Sequence, residues 1–342
     1  MIPLRGFDEP LLHGGNLTSA RCLFPDAPEP FIDLSTGINP NPYPLPQLPA
    51  ELFARLPEEA AVALLAATAA QTYGAPLAAH VVAAPGTQIL LPLVGGLVRA
   101  GRAAVVAPTY SEHSRAAMLA GHDVTEVREL GAAGDAALVV VTNPNNPDGR
   151  LFAKDDLLIL AGHLQARGGL LVVDEAFMDV GPPGLSLVPE VARGNIVVLR
   201  SFGKFFGLAG LRLGFALAAP ALATRLSARL GPWAVSGPAL DIGTTALADR
   251  DWIETTRQRL ARAAERLDAI LKKAGLDIAG GTSLFRLVRT QTANEWFRHL
   301  GRMGILTRAF ADHPTWLRFG LPASEEDWQR LQIAMAAPHD NR

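Results

Sequence analysis

The chain has 342 residues, of which 49% are hydrophobic and 19% charged, and its formal net charge is −2. This near balance does not favour nucleic acid or an anionic membrane as a partner, because either one generally calls for a basic surplus. The single cysteine, Cys22, excludes an internal disulfide framework and fits a reducing compartment. No apolar run reaches about 18 residues, and the N-terminus has no signal or transit pattern. We therefore expect a cytoplasmic protein that does not span a membrane.

The first fifty residues are rich in proline and glycine, as in the Asn-Pro-Asn-Pro-Tyr-Pro run at residues 39–44. This composition predicts a segment without regular helices, in which residues 31–35 add one strand. A frayed tail is the alternative, but tails rarely carry so many apolar, histidine and asparagine residues. We expect an arm that covers the active site.

From residue 58 to residue 217, short apolar runs alternate with helical patterns. This alternation predicts an α/β fold with a mostly parallel sheet covered by helices on both faces. The predicted strands are residues 81–84, 103–106, 138–141, 170–173, 196–199 and 213–217. The predicted helices are residues 58–73, 86–98, 111–120 and 154–166.

Beyond Pro238 the pattern changes to that of an α+β lobe. The length of the whole chain leaves room for two domains. We predict a large domain at 41–250 and a smaller one formed by 251–342 together with the arm at 1–40. The predicted strands of the lobe are residues 283–288, 305–308 and 316–320. Its predicted helices are residues 249–274, 292–303 and 324–336.

Polar and glycine-rich clusters follow five of the predicted strands, after residues 84, 106, 141, 173 and 199. In mostly parallel sheets, ligands bind beyond the carboxyl ends of the strands. Five strand ends with unusual residues therefore predict a ligand site at this edge of the sheet.

The Ser-Phe-Gly-Lys run at residues 201–204 follows an apolar strand and precedes a glycine-rich loop that carries an arginine. Apolar packing around Lys204 and the positive charge of Arg212 would both favour a neutral, nucleophilic amine. Pyridoxal 5′-phosphate is the cofactor that such an amine holds as a Schiff base. Taken alone, the run is better explained by a strand-end lysine that extends to solvent, so the remaining motifs decide.

Five motifs follow one another along the chain, namely Pro85-Gly86-Thr87-Gln88, Asn145-Asn146-Pro147, Asp174-Glu175-Ala176, Ser201-Phe202-Gly203-Lys204 and Arg212. Together they resemble, in order and over nearly the whole chain, the aspartate-aminotransferase-like (fold type I) pyridoxal phosphate enzymes. The resemblance implies a large domain with a mostly parallel seven-stranded sheet between helices, and a small α+β domain. Within this family the chain looks most similar to the threonine-phosphate decarboxylases of cobalamin biosynthesis, a sister group of the histidinol-phosphate aminotransferases.

The resemblance implies a role for each residue of the cofactor site. Lys204 would bind pyridoxal phosphate covalently and later transfer protons. Asp174 would pair with the pyridine nitrogen and keep it protonated, and Tyr110 would stack on the ring. Asn146 would bind the phenolic oxygen of the ring. The phosphate would be bound by Gly86, Thr87, Gln88, Ser201 and Arg212.

Several of these residues also have a plain structural explanation. Asp174 can be the N-terminal cap of a helix, and Tyr110 an ordinary interior tyrosine. The run at residues 85–88 can be a simple turn, and an Asn-Pro turn explains Asn146 almost as well as a ligand contact. It is the joint occurrence of the motifs that favours the cofactor site.

The resemblance also implies substrate contacts. Arg318 matches the family's carboxylate-binding arginine, and Arg308 is assigned to the substrate's phosphate or carboxylate. Either arginine can instead be a solvated strand-edge residue. In the arm, Gly37 and Asn39 resemble the segment that approaches the α-carboxylate. His13 and Asn16 resemble an arm that closes on the substrate's phosphate.

Two positions depart from the family's aminotransferases. Phe177 replaces a tyrosine that donates to the ring oxygen, and phenylalanine there is typical of the decarboxylase group. The family's Tyr-Pro-Asp, which often reaches the neighbouring subunit's site, is Leu56-Pro57-Glu58 here. This change puts the cross-subunit phosphate contact in doubt, but a homodimer is still expected from the resemblance.

The implied reaction is the decarboxylation of L-threonine O-3-phosphate to (R)-1-amino-2-propanol O-2-phosphate. The alternative is an aminotransferase of the histidinol-phosphate type, because the cofactor residues are common to both outcomes. In the family the choice depends on how Arg318, Arg308 and the arm orient the substrate. A non-catalytic binding module with this fold is a further alternative, and no metal site is predicted.

Overall fold

The structure, a computed structural model, describes residues 14–336, so His13 lies outside the described residues. The helices in the described part are α1 Leu17–Leu23, α2 Glu51–Ala54, α3 Glu59–Tyr73, α4 Thr87–Gly95, α5 Glu112–Leu119, α6 Lys154–Gln165, α7 Phe202–Phe205, α8 Pro220–Leu230, α9 Gly237–Ala248, α10 Arg250–Lys273, α11 Ala293–Arg302 and α12 Glu325–Ala336. The strands are β1 Ile32–Asp33, β2 Val81–Ala84, β3 Arg102–Val106, β4 Asp123–Val127, β5 Leu138–Thr142, β6 Leu170–Asp174, β7 Ile196–Ser201, β8 Gly214–Ala218, β9 Asp277–Thr282, β10 Phe285–Arg289, β11 Ile305–Leu306, β12 Arg308–Ala309 and β13 Trp316–Phe319.

Two compact units make up the chain. Within the described residues, the larger unit comprises 38–262 and 282–284, and the smaller unit comprises 14–37, 263–281 and 285–336. The predicted domain limits at residues 40 and 250 stay a prediction. No helix in the described range 14–336 is long and apolar enough to cross a membrane.

The larger unit is built on a seven-stranded sheet with the order β2-β8-β7-β6-β5-β3-β4. Only β8 runs antiparallel to its neighbours, so the prediction of a mostly parallel α/β sheet is confirmed. The sequence analysis missed β4 at the sheet edge. That strand alternates exposed and buried residues, with Val124 buried between exposed Asp123 and Thr125, and therefore lacks the apolar run of the central strands.

Helices cover the sheet, and the central strands are buried throughout, as their valine-rich runs predicted. One face of the sheet packs against α4, α5 and α8 in a continuous apolar core. Large members of this core are Val105, Val140, Val172, Leu199, Leu90 and Leu226.

The strand register brings the predicted site residues to one edge of the sheet. Gly214 at the start of β8 lies between Ala84, the last residue of β2, and Ser201, the last residue of β7. On the neighbouring strands, Asp174 is paired with Thr142 and with Leu199. The motifs after Ala84 and Ser201 therefore start from adjacent positions, which the sequence alone could not order.

The smaller unit contains two sheets. A four-stranded sheet has the order β12-β13-β10-β9, and the predicted strand at residues 31–35 exists as the shorter β1, parallel to β11. Strand β9 was missed because it contains Gly280 and Gly281, which are depleted in strands and have φ of 158° and 147°. The α+β character of this lobe is confirmed.

The prediction that residues 1–50 contain no regular helix is wrong, because Leu17–Leu23 forms α1. These residues contain neither proline nor glycine, and the side-chain Oδ1 of Asn16 caps the helix by accepting from the Ser19 amide at 2.9 Å. Ala20 is buried on the inner face of α1, in a small cluster with Phe31 and Leu306. The proline-rich composition of the whole segment concealed this short helix-compatible run.

Candidate active site

The start of α4 forms an anion-binding cradle at the edge of the sheet. Gly86, which precedes the helix, has φ of 84°, a region that favours glycine. A Cβ atom built on Gly86 would lie 2.7 Å from Nη2 of Arg212, so glycine allows the guanidinium to approach the start of the helix. Because free amides and the positive helix end meet a guanidinium here, the cradle suits a phosphate.

Two further residues complete the cradle. A Cβ atom built on Gly214 would lie 2.7 Å from the backbone nitrogen of Thr87, which shows how closely β8 approaches the helix start. Ser201, the partner of Gly214 in the sheet, can add a hydroxyl donor on the same side. The turn at residues 85–88 thus has the surroundings of a phosphate site and not of a simple surface turn.

Tyr110 is held by the side chain of Gln88. The tyrosine hydroxyl donates to Gln88 Oε1 at 3.1 Å, and Gln88 Nε2 donates to the buried Glu112 at 2.8 Å. The amide therefore has a fixed orientation, with its oxygen toward the tyrosine. Tyr110 is half-buried, so one part of its ring remains accessible for stacking.

Asp174 at the end of β6 is 7% exposed and has two partners. Its Oδ1 accepts from the Ala176 amide at 3.0 Å, and its Oδ2 lies 3.0 Å from Nε2 of the buried His113. A helix cap does not account for the contact with His113, because that contact anchors the carboxylate from a different helix. A buried, anchored carboxylate is suited to hold a cationic ring nitrogen.

The sequence analysis missed His113. It lies on α5, three residues after Tyr110, and the two rings meet edge to face with centroids 5.7 Å apart. Tyr110 lies just before α5, and its carbonyl accepts from the His113 amide at 3.1 Å. The short separation of the two aromatic residues along the chain was the available signal.

Lys204 lies in the one-turn helix α7, whose Phe202 and Phe205 are buried. Its Nζ is 5.8 Å from the ring centroid of Phe177, which is itself buried. A Cβ atom built on Gly203 would lie 2.8 Å from the Cα of Ala209, so the lysine turn packs closely against the following loop. The amine thus faces an apolar ring, as a nucleophilic lysine requires.

The loop that carries Asn146 is fixed by its neighbour Asn145, which is 0% exposed. Asn145 Nδ2 donates to Pro108 O at 2.9 Å and to Asp148 at 2.7 Å, and its Oδ1 accepts from Thr109 at 2.7 Å. Asn145 therefore holds this loop in place, while the role of Asn146 stays a prediction. Asn146 is half-buried at the end of the same sheet edge.

A buried ionic network, also missed from the sequence, lies beside these strand ends. Arg200 donates to Glu175 at 3.0 Å and to Asp179 at 2.6 Å, and all three side chains are buried. Burial acts to lower the pKa of Arg200, but attraction to Asp179 and Glu175 outweighs it and raises that pKa. Because Arg200 precedes Ser201 and Glu175 follows Asp174, the network ties the ends of β7 and β6 together.

In the smaller unit, Arg318 and Arg308 are paired on neighbouring strands. Arg318 is 7% exposed and lies on an inner strand, so it is not a solvated strand-edge residue. Its Nη2 donates to Ser35 O at 2.8 Å. Burial and the charge of Arg308 lower the pKa of Arg318 to about 9, and Asp33 opposes this shift. Two close cations, one of them buried, form a site that an anion would stabilise.

The remaining predicted substrate residues lie in different surroundings. Asn16 is exposed and caps α1, and Gly37 is buried in the smaller unit. Asn39 is buried in the larger unit, where its side chain binds backbone groups. Their roles toward a substrate stay predictions.

The larger unit has the donor set that pyridoxal phosphate requires. The helix start with Arg212 matches a phosphate, Asp174 matches a protonated ring nitrogen, and Lys204 supplies the amine. The Gly86 position is the most specific of these features, because its φ of 84° favours glycine and a Cβ atom there would displace the guanidinium of Arg212 from the helix start. The residues present therefore fit this cofactor.

Comparison with known proteins agrees with the geometry. The family model described as aminotransferase class I and II matches residues 56–333. A threonine-phosphate decarboxylase of a Sinorhizobium species is 44% identical over 334 residues, which cover 96% of this chain and 98% of that one. The threonine-phosphate decarboxylase of Pseudomonas aeruginosa is 42% identical over 328 residues, covering 95% and 97%.

A solved structure has the same fold. The histidinol-phosphate aminotransferase from Sinorhizobium meliloti, solved in complex with pyridoxal-5′-phosphate, matches with a TM-score of 0.79. The match covers 96% of this chain and 94% of that one, at 20% sequence identity. At this level of identity the likeness establishes the architecture.

Proposed function

The chain belongs to the aminotransferase class I and II family, and from this premise we propose that it is a pyridoxal phosphate-dependent threonine-phosphate decarboxylase. The reaction converts L-threonine O-3-phosphate to (R)-1-amino-2-propanol O-2-phosphate and CO2, as a step of cobalamin biosynthesis. The observation that carries the proposal is the identity of 42% and 44%, over nearly the full length, to two threonine-phosphate decarboxylases. The candidate cofactor residues around Lys204, Asp174 and Arg212 support an enzyme over a non-catalytic binding module.

In the reaction, the bond between Cα and the carboxylate breaks, CO2 leaves, and Cα gains one proton. When bound, pyridoxal phosphate accepts the electron pair that this bond releases. Asp174 supplies the negative charge that keeps the ring nitrogen protonated, and His113 fixes the orientation of its carboxylate. Lys204 Nζ is the group that we assign to deliver the proton to Cα.

Arg318 and Arg308 are assigned to the two anionic groups of the substrate. A guanidinium offers a planar pair of donors to a carboxylate or a phosphate. By holding both groups, the arginines would determine which bond to Cα is placed for cleavage, and hence whether the substrate loses CO2 or a proton. Gly37, Asn16 and His13 are assigned to the same substrate, following the resemblance.

Phe177 favours decarboxylation over amino transfer in this proposal. Its ring lies 5.8 Å from Lys204 Nζ and has no hydroxyl with which to donate a hydrogen bond. In the family's aminotransferases a tyrosine donor stands at this position. With phenylalanine at this position, Asn146 is the assigned hydrogen-bond partner of the ring oxygen of the cofactor. Phenylalanine here is typical of the decarboxylase group.

The test uses two parallel incubations of the holoenzyme. With L-threonine O-3-phosphate alone, CO2 and aminopropanol phosphate should accumulate without any 2-oxo acid. With histidinol phosphate and 2-oxoglutarate, no glutamate should form. Glutamate formation without CO2 release would identify an aminotransferase and overturn the proposal.

We also propose that the protein is a homodimer, as the family resemblance implies. The domain limits at residues 40 and 250 are a separate part of the proposal. The exposed apolar side chains of the larger unit, such as Phe53 and Trp233 at 69% and 59% exposure, are consistent with an interface. Sedimentation equilibrium of the holoenzyme measures the mass directly. A monomer at micromolar concentration would contradict this part of the proposal.

Replacing Arg318 by leucine is expected to raise KM for L-threonine O-3-phosphate about a hundredfold, because a charge-assisted anion contact is lost. The visible absorbance of the bound cofactor should not change. Arg318→Lys, which keeps the charge but not the fork, should give an intermediate KM. Arg286→Leu is the matched control, since Arg286 is on the next strand and ion-paired to Asp268. Equal KM values for the Arg318 and Arg286 variants would exclude Arg318 from substrate binding.

A further inference from the structure

Asn39 is 1% exposed, and each polar atom of its side chain is hydrogen-bonded to a backbone group of the larger unit. Its Nδ2 donates to the carbonyl of Phe205 at 2.9 Å, and its Oδ1 accepts from the Asn41 amide at 3.0 Å. Its own backbone amide donates to the carbonyl of Lys204 at 2.9 Å. Asn39 therefore binds two successive carbonyls of the helical turn that carries the lysine.

The contact continues along the chain. The Tyr43 amide donates to the carbonyl of Phe206 at 2.9 Å. Gly207 has φ of 69°, and a Cβ atom built there would lie 2.7 Å from Asn39 O and from the Cα of Pro42. Residues 39–43 thus pack directly on residues 204–207, and a glycine at 207 is needed for the close approach. We call this contact the lysine clasp.

From this geometry we infer that Asn39 is a positioning residue, which holds the backbone of Lys204 and Phe205 so that the lysine amine has one fixed place at the sheet edge. The inference rests on the proposed function in taking Lys204 as the cofactor-binding lysine. It differs from the substrate contact expected from the sequence, because both polar atoms of the Asn39 side chain already have backbone partners. Substrate would then be bound by other residues.

The lysine clasp stabilises the short helix that carries Lys204. Helix α7 has only one turn, and its last carbonyls have no continuing helix to bind them. Without Asn39, the carbonyl of Phe205 would lose a buried donor, and the lysine turn would sample more conformations. A catalytic side chain performs well only when its own backbone is held in the productive position.

The experiment compares Asn39→Asp and Asn39→Ala holoenzymes with the unmodified one. The aspartate variant keeps the acceptor for Asn41 but turns an oxygen toward the Phe205 carbonyl, whereas alanine removes both contacts. In both variants, cofactor should dissociate about three- to tenfold faster, on the scale of one buried hydrogen bond. Hydrogen exchange should accelerate in the peptides that cover residues 39–43 and 202–207.

Asn195 provides the matched control. It is also a buried asparagine of the larger unit, 8% exposed, and its Nδ2 donates to a backbone carbonyl, that of Ala161, at 2.7 Å. It lies directly before β7, at the opposite end of that strand from Ser201. Asn195→Asp and Asn195→Ala should lower Tm by a similar amount without changing cofactor dissociation. This comparison separates an effect on the position of Lys204 from a general loss of stability.

Two results would overturn the inference. Cofactor dissociation in the Asn39 variants could equal that in the Asn195 variants, or it could be unchanged while KM for the substrate rises tenfold, which would make Asn39 a substrate ligand. If neither Asn39 variant folds, the inference can be tested by hydrogen exchange in the unmodified protein. Binding of pyridoxal phosphate should then slow exchange of the Asn39, Asn41 and Tyr43 amides, and no slowing would refute the clasp. The cofactor-dissociation and hydrogen-exchange measurements do not depend on CO2 release, so they remain valid if the substrate is a different amino acid.

Discussion

Lys204→Ala is expected to lower kcat for CO2 release by roughly four to six orders of magnitude, because it removes the amine that we propose binds the cofactor and moves the proton. The same change should abolish the visible absorbance of the lysine-bound cofactor. Borohydride treatment followed by peptide mapping should label residue 204 in the unmodified enzyme and leave the variant unlabelled. The two readouts together separate loss of covalent attachment from loss of folding.

Lys154→Ala is the control for this change. Lys154 begins α6, and its Nζ lies 2.9 Å from Glu190, so it is a surface ion pair of little energetic weight. The Lys154→Ala variant should keep both the visible absorbance of the bound cofactor and the turnover. If the Lys204 variant retained the absorbance and the turnover of the Lys154 variant, the lysine assignment would be wrong.

Asp174→Asn should lower kcat about a thousandfold, because we assign the buried carboxylate to keeping the ring nitrogen protonated. The amide is nearly isosteric, so the fold around β6 should persist. It would also place a neutral group 3.0 Å from His113 Nε2, where a carboxylate oxygen now lies. The pH dependence of the cofactor's absorbance reports the lost charge directly.

His113 tests whether Asp174 acts with a partner. His113→Gln alone should lower kcat about tenfold, because it removes the imidazole nitrogen that lies 3.0 Å from the Asp174 carboxylate. Combined with Asp174→Asn, it should add little, because the histidine acts through the carboxylate. Fully additive losses in the double variant would show that the two residues act independently and would contradict the pairing.

Much of the fold follows from local patterns. The valine-rich runs of β5, β6 and β7 predicted buried parallel strands, because such strands are apolar on both faces. Strand β4, with one buried face, and strand β9, with two glycines, were missed for the converse reason. Helix α1 was missed because composition was averaged over a proline-rich segment, whereas a helix needs only one short compatible run and a cap.

The position of a candidate residue was predictable where it ends a strand, as Asp174 does, or follows one closely, as Lys204 does. It was not predictable where the role depends on a partner distant in the chain. Asn39 and Phe205 are 166 residues apart, and no local pattern indicates that they meet. Likewise, whether Arg318 is buried or solvated depended on the strand order, in which β13 lies inside the sheet.

The most direct test of the proposed activity is the stoichiometry of CO2 release from L-threonine O-3-phosphate by the holoenzyme, measured without any 2-oxo acid. The proposed decarboxylase should release CO2 in an amount equal to the threonine phosphate consumed and form an equal amount of aminopropanol phosphate. Consumption of substrate without CO2, with the amino group transferred to added 2-oxoglutarate, would contradict it.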